Sequence, residues 1–516
     1  MRTIGLALTI AAALRGSAAW ADTYAITVDP ALTGAPVTGR LILFFITATG
    51  RGWDRAQPAS GPFYHRPQPI ASIAVANLAP GATATIDGSA FAFPASLDTL
   101  DGRVRVQAVL DLDETERSHL EGPGNLLSDA ATIEVASAND DQIALTLTRR
   151  VEEKTWPPPT AEANLRWVAL RSEMLTEFYG REVVHRAGIA LPPAYLQADS
   201  PRQSWAAIYV VPGFGGRAGQ AREIASMLNT AGPDMAPHAV WIVLDPESPL
   251  GHHGFVDSPN HGPRGTALVK EFIPYLESQL RLAPRPDARI VTGHSSGGWS
   301  SLWLQLQWPE VFGACWSSAP DPIDFSAFQM SDIYRDESLY VDAEGREVPS
   351  FREQQGPGIE AVLMTVRQEG LMEHAIDPDG RSGEQWDAWE AMFSPRDEAA
   401  GLPRPLLDAM TGRIDRDVAA HWSRFDITRM VGEEWSRYGP IVTGRVRLAV
   451  GSLDSFYLNR AVERFKAKVD ALNPSGEGPG YVWIVPHATH GNIERFTTER
   501  WNEEMIAYLR EHGLGD

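Results

Sequence analysis

Ser295 stands at the centre of GHSSG, and Asp454 in SLDSFY and His490 in PHATHGN follow it along the chain. A serine hydroxyl is a weak nucleophile until a neighbouring base takes its proton and a third group orients that base. Serine, acid and histidine in this order can run that relay, and the chemistry open to them is attack on an acyl carbon. The GxSxG pattern sets its serine on a tight strand-to-helix turn. Gly293 and Gly297 are expected there because they lack the Cβ atoms that so sharp a turn would crowd. Asp454 follows the strand-like RLAVG and His490 the strand-like YVWIV, so both are expected at strand ends. Each has a rival. His487 lies three residues before His490, which is preferred because Gly491 and Asn492 allow a sharp reversal after it; Asp321, after CWSSAP, is the competing acid. Backbone N–H groups must also hold the developing oxyanion, and these are expected from Ser296 and from Phe214 or Gly215 in PGFGG.

The segment GHHGFVDSPNHG holds His252, His253, Asp257 and His261 within a short stretch. These are metal-ligating residue types, but a Gly/Pro/Asn loop offers no fixed helical face and no cysteine partner. No metal and no cofactor is therefore expected. His252, His253 and Asp257 are expected instead to line a pocket and hydrogen-bond a polar substrate.

The elements that must position these groups follow from periodicity. Residues 22–150 alternate apolar and polar side chains, as Val104, Val106, Ala108, Leu110 and Leu112 do, with Gly, Pro and Asp clusters between runs. That pattern predicts a small all-β, sandwich-like domain. VEEKTWPPPT opens a proline-rich linker over 151–165. From 166 to 516 strands alternate with helical patterns, which predicts parallel strands with crossover helices. Strands are expected at Trp205 to Val211, Val240 to Leu244, Ala288 to Thr292, Ala314 to Ser318, Val446 to Val450 and Tyr481 to Val485. Helices are expected at Thr266 to Leu280, Trp299 to Gln307 and Asn459 to Leu472, with a closing one through Trp501, Met505, Tyr508 and Leu509. This is the element order of an α/β-hydrolase. The stretch of about 321–443 has no strand alternation and is too long for a plain connection. With Trp386, Trp389, Trp422 and Trp435 it reads as an inserted cap, whose tryptophans either face the site or fill the cap's own core.

The chain has 516 residues and a formal net charge of −21. Such a charge opposes nucleic acid and anionic membranes as partners. The lone Cys315 permits no intramolecular disulfide. Arg2, the apolar run Ile4 to Leu14 and Ala19-Trp20-Ala21 have the layout of a secretory signal cleaved after Ala21, too short to span a bilayer. A secreted or periplasmic protein without stable membrane insertion is expected; the oligomeric state is left open.

From Arg166 to the C-terminus the chain resembles the bacterial esterase family of the esterase D type, through MLTEFYGREVVHRAGIALPPAYL, VVPGFGG, GHHGFVDSPNHGPRGTAL, GHSSGGW, GSLDSFYL and HATHGN. The resemblance implies Ser295 as nucleophile, Asp454 as acid and His490 as base. It implies hydrolysis of carboxylic esters, small or polymer-derived, with feruloyl, siderophore and thioester substrates known among its members. The long insert after Asp321 and the N-terminal β domain fall outside it. Acyl transfer or peptide cleavage by the same trio is the alternative, and a non-catalytic binding protein is the third reading.

Overall fold

Apolar alternation in the N-terminal region does build strands. The structure, a computed structural model, describes residues 22–49, 52–62, 64–136, 141–197, 204–232, 235–356 and 358–514; the expected signal, 1–21, lies outside them. Nine strands between Thr23–Val28 and Gln142–Arg150 join one hydrogen-bonded sheet, antiparallel except where those two strands pair with each other. Val104, Val106, Ala108 and Leu110 share one interior with Leu41, Leu43 and Phe45. The run LILFFI is apolar at every position because its other face is also covered. There Ile42 and Phe44 pack with Phe351, Met364, Met372 and Ile376 of the second region. Each large side chain buried in this way contributes about 1.5–3 kcal/mol. Arg40 adds an ion pair to Asp377 at 3.2 Å across the same boundary.

No helix or strand forms between 150 and 165. In the second region eight strands form one sheet: β1 (Leu165–Arg171), β2 (Val184–Ala190), β3 (Ala207–Val211), β4 (Val240–Leu244), β5 (Arg289–His294), β6 (Ala314–Ser318), β7 (Val446–Gly451) and β8 (Tyr481–Val485). Their order in the sheet is β1-β2-β4-β3-β5-β6-β7-β8. β3 to β8 run parallel, while β2 is antiparallel to both β1 and β4. Helices bury both faces, one against Trp299, Leu302 and Leu306, the other against Phe272, Leu276 and Cys315. This is an α/β-hydrolase sheet, and its parallel strands deliver their C-terminal ends to one edge, where such folds place their sites.

The antiparallel pair β1 and β2 is absent from the sequence reading. The helix expected from Thr266 to Leu280 runs from Arg264 to Gln279 but widens to a π turn at Leu268–Phe272, just before Pro274. Proline has no N–H for the regular ladder, and its ring crowds the carbonyl four residues back. Between β6 and β7 the insert folds as a hairpin, Pro349–Gly356 with Ile359–Thr365, and several helices. Trp386, Trp389 and Trp422 are buried among Phe325, Phe328 and Phe393 and fill the insert's own core, and Trp389 also lines the cavity that holds Ser295.

Candidate active site

At the end of β5 the backbone turns through Ser295 with φ 60° and ψ −126°, and the helix Ser296–Gln307 begins at once. Non-glycine residues at positive φ are rare and concentrate at functional sites. Gly293 and Gly297 have ordinary φ values, so their role is space. A Cβ on Gly293 would collide with the Gly297 carbonyl, and one on Gly297 with the Val211 carbonyl of β3. The turn thus presses the helix start against the sheet and lifts the serine out.

His490 reaches the site on the loop after β8, and its Nδ1 lies 2.8 Å from Asp454 Oδ2 at the end of β7. Asp454 is fully buried, and its other oxygen accepts the amides of Phe456 and Leu458. Burial works against both charged forms. It is outweighed by the mutual attraction and the shared hydrogen bond, so the Asp454 pKa is lowered and the His490 pKa raised above 6.5. With Nδ1–H given to Asp454, Nε2 is the imidazole's free acceptor. Ser295 and His490 both line one cavity, of about 950 Å³. Among the described residues no hydrogen bond joins them in this state, and such contacts often close only around substrate.

His487 is exposed with φ 62°, its amide donating to Ser452 Oγ at 2.9 Å. Asp321 is buried on the cavity wall, where its Oδ2 accepts from Ser296 Oγ at 2.7 Å and Trp389 Nε1 at 2.8 Å. It makes no hydrogen bond to His490. The Gly215 amide donates to Glu247 Oε1 at 3.2 Å, which leaves Phe214 as the uncommitted amide of that pair. The Ser296 amide opens a helix and has no intrahelical acceptor.

His252, His253 and Asp257 do not line the cavity, which corrects the expectation from the sequence. His252 is buried beneath the PGFGG loop, its Nε2 donating to the Pro212 carbonyl at 2.9 Å while Nδ1 accepts the Gly254 amide. His253 and His261 are buried too, and burial pushes both imidazoles well below 6.5. Exposed Asp257 caps the next helix through the amides of Gly265 and Thr266. A loop rich in polar residues serves here as a foundation, with His252, His253 and Asp257 tied to nearby backbone and His261 Nδ1 to the Ser248 hydroxyl at 3.4 Å. No group of three or more His, Cys, Asp or Glu arranged to hold a metal occurs among the described residues.

Several wall residues carry no signal in the sequence. His294, beside the nucleophile, packs on His490 with ring centroids 4.5 Å apart; burial and then the His490 charge hold its pKa near 3. Phe456 stands edge-on to His490 at 4.9 Å. The N-terminal domain contributes Trp53, Tyr64 and His65 to the wall. From the same domain Arg117 lies over the Phe214 ring at 4.6 Å and bridges Glu247 and Glu384 at 3.0 Å each, while Tyr64 donates to Glu384 at 2.6 Å. That brace joins the β domain, the insert and the PGFGG loop. Its only legible trace would have been a lone arginine in a turn.

The family model described as "Putative esterase" matches residues 185–467. No curated protein matches the chain. Among solved structures, a ferulic acid esterase is similar at 14% identity, covering 67% of this chain and 98% of its own, with a TM-score of 0.41. The serine hydrolase FphF of Staphylococcus aureus follows at 10% identity, 66% and 99% coverage and TM-score 0.35. An S-formylglutathione hydrolase from Agrobacterium tumefaciens gives 13%, 67% and 97%, and 0.36.

Proposed function

The chain belongs to the "Putative esterase" family and is a serine hydrolase of carboxylic esters, and from that premise we propose how this site acts. Ser295 Oγ attacks the ester carbonyl as His490 Nε2 takes its proton, and Asp454 stabilises the resulting imidazolium. The amides of Phe214 and Ser296 hold the oxyanion. His490 then gives the proton to the departing alcohol, leaving an acyl group on Ser295. A water, deprotonated by His490, attacks that acyl-enzyme, and Ser295 leaves with its proton restored.

The observation that carries this reading is the Asp454–His490 bond at 2.8 Å beside a positive-φ serine on the same cavity wall. Two further points support it: the uncommitted Phe214 amide, and the Arg117–Glu247 brace that fixes its loop. Export is also proposed, on Arg2, the run from Ile4 and Ala19-Trp20-Ala21. Among the described residues no helix is long and apolar enough to cross a membrane.

Turnover of short p-nitrophenyl esters by wild type and Ser295→Ala tests the proposal. The variant is expected to lose about 10⁴-fold or more in kcat while remaining folded. Undiminished turnover would remove Ser295 from the mechanism.

A further inference from the structure

The cavity has a second end that the proton relay does not use. It is built by the insert, from Gln329, Glu369, Gln385 and Trp389, and faces Tyr64 and Trp53 of the β domain. Gln329 and Glu369 are fastened to one residue, Ser350. Gln329 Nε2 donates to its carbonyl at 3.4 Å, and Glu369 Oε1 accepts its hydroxyl at 2.8 Å.

Three donors at this end are spent inside the protein: Trp386 Nε1 on Glu369 Oε2 at 2.9 Å, Trp389 Nε1 on Asp321 Oδ2 at 2.8 Å, and the Tyr64 hydroxyl on Glu384. The acceptors are not used up. Gln329 is 2% exposed, and its Oε1 is buried without any partner. Exchanging the two ends of that amide does not help, because it would set oxygen against the Ser350 carbonyl. Each carboxylate oxygen takes more than one hydrogen bond. Glu369 receives one on each, and both bonds to Asp321 fall on Oδ2. Burial raises the Glu369 pKa to about 7, with no cation offsetting it. Arg66, the arginine on the cavity wall, is exposed and donates to the Thr49 carbonyl. A buried acceptor left unpaired keeps its full desolvation penalty, which a bound donor would remove.

We infer that this end of the cavity is a substrate subsite for a group rich in hydrogen-bond donors, a polyhydroxylated or ammonium-bearing part of the ester, received by Gln329 Oε1, Glu369 and Asp321. The inference rests on the reading of Ser295 as nucleophile, since the ester linkage must then lie between that serine and the subsite. Aromatic walls from Trp389 and Phe351 suit either source, by stacking on a sugar-like ring or by cation–π contact.

Binding without turnover tests it. Anilides of matched length, ending in a methyl, a hydroxyl or an ammonium group, are titrated calorimetrically into the Ser295→Ala protein. One series carries the end group on the acyl side and a second on the amine side. A donor-ended ligand in at least one series is expected to bind about tenfold or more tighter than its methyl-ended match. Gln329→Met and Glu369→Gln, each checked for folding by its melting temperature, are expected to shrink that preference. Tighter binding of the ammonium than of the hydroxyl assigns a cationic substrate; the reverse assigns a polyol. Equal affinities in both series, or a preference unchanged in both variants, overturns the inference. Selective binding together with wild-type esters left intact would count against the nucleophile reading and leave the subsite standing.

Discussion

Ser295, His490 and Asp454 are far apart in sequence, yet their types and order were legible because each follows closely on a strand-like apolar run. The contacts of the GHHGFVDSPNHG histidines were not. Residue type states what a side chain can donate or accept, but only the fold decides whether that partner is substrate or, as for His252, the carbonyl of Pro212. The Asp454–His490 pair makes a prediction with a definite sign. In the proposed relay His490 must be neutral to accept the serine proton, and its pKa is raised above 6.5 because Asp454 outweighs burial. The acidic limb of kcat/KM is therefore expected above pH 6.5, with activity lost as pH falls through it. His294 adds no limb there, since it stays neutral down to about pH 3. In Asp454→Asn burial is opposed only by the weaker attraction of Asp321 and Glu494, so the limb is expected to move to lower pH as kcat falls by about 10⁴. A limb that stays in place in the variant contradicts the assignment.

Strands written as short continuous apolar runs, such as Tyr481–Val485, and the helix Asn459–Leu472 fall where their patterns place them. β1 and β2 escaped because Leu165–Arg171 mixes charged and apolar residues, as an edge pair does when one face is partly solvated. The insert was legible as an element by its length, but its interior was not, since it buries carboxylates instead of showing a clean apolar stripe. Glu373 accepts the amides of Trp386 and Asp387, and Glu390 accepts that of Leu406 at 2.7 Å. Burial first, and then the charge of Asp387, pushes both pKa values well above 4.5. Such a group keeps its proton in the folded chain where the unfolded chain releases it. Its contribution is complete below the unfolded value near 4.5 and is lost as pH rises through the raised folded value. The melting temperature is therefore expected to fall as pH rises above about 4.5, and Glu390→Gln to flatten that fall. An unchanged slope in the variant would contradict the account of Glu390.

The N-terminal domain carries no catalytic motif, and its sequence gave no sign that it reaches the site. It does so because both faces of Val37–Thr47 are covered, one by its own core and the other by the insert. Packing on the insert brings Tyr64 and Trp53 over the cavity and Arg117 onto Phe214. Arg117 acts as a positioning residue for the PGFGG loop. Arg117→Met is expected to lower kcat about tenfold or more with a smaller change in KM, because a loosened oxyanion donor is missed most in the transition state. Arg117→Lys should restore little, since a single ammonium cannot span Glu247 and Glu384 as the guanidinium does. A change confined to KM would place Arg117 in substrate binding alone. The proton relay itself is reached most directly by exposing the full chain to a fluorophosphonate and locating the adduct by peptide mass spectrometry. The expected result is one modified site at Ser295, absent from Ser295→Ala and strongly slowed in His490→Ala; folded protein that stays unlabelled, or labels equally fast without His490, would contradict it.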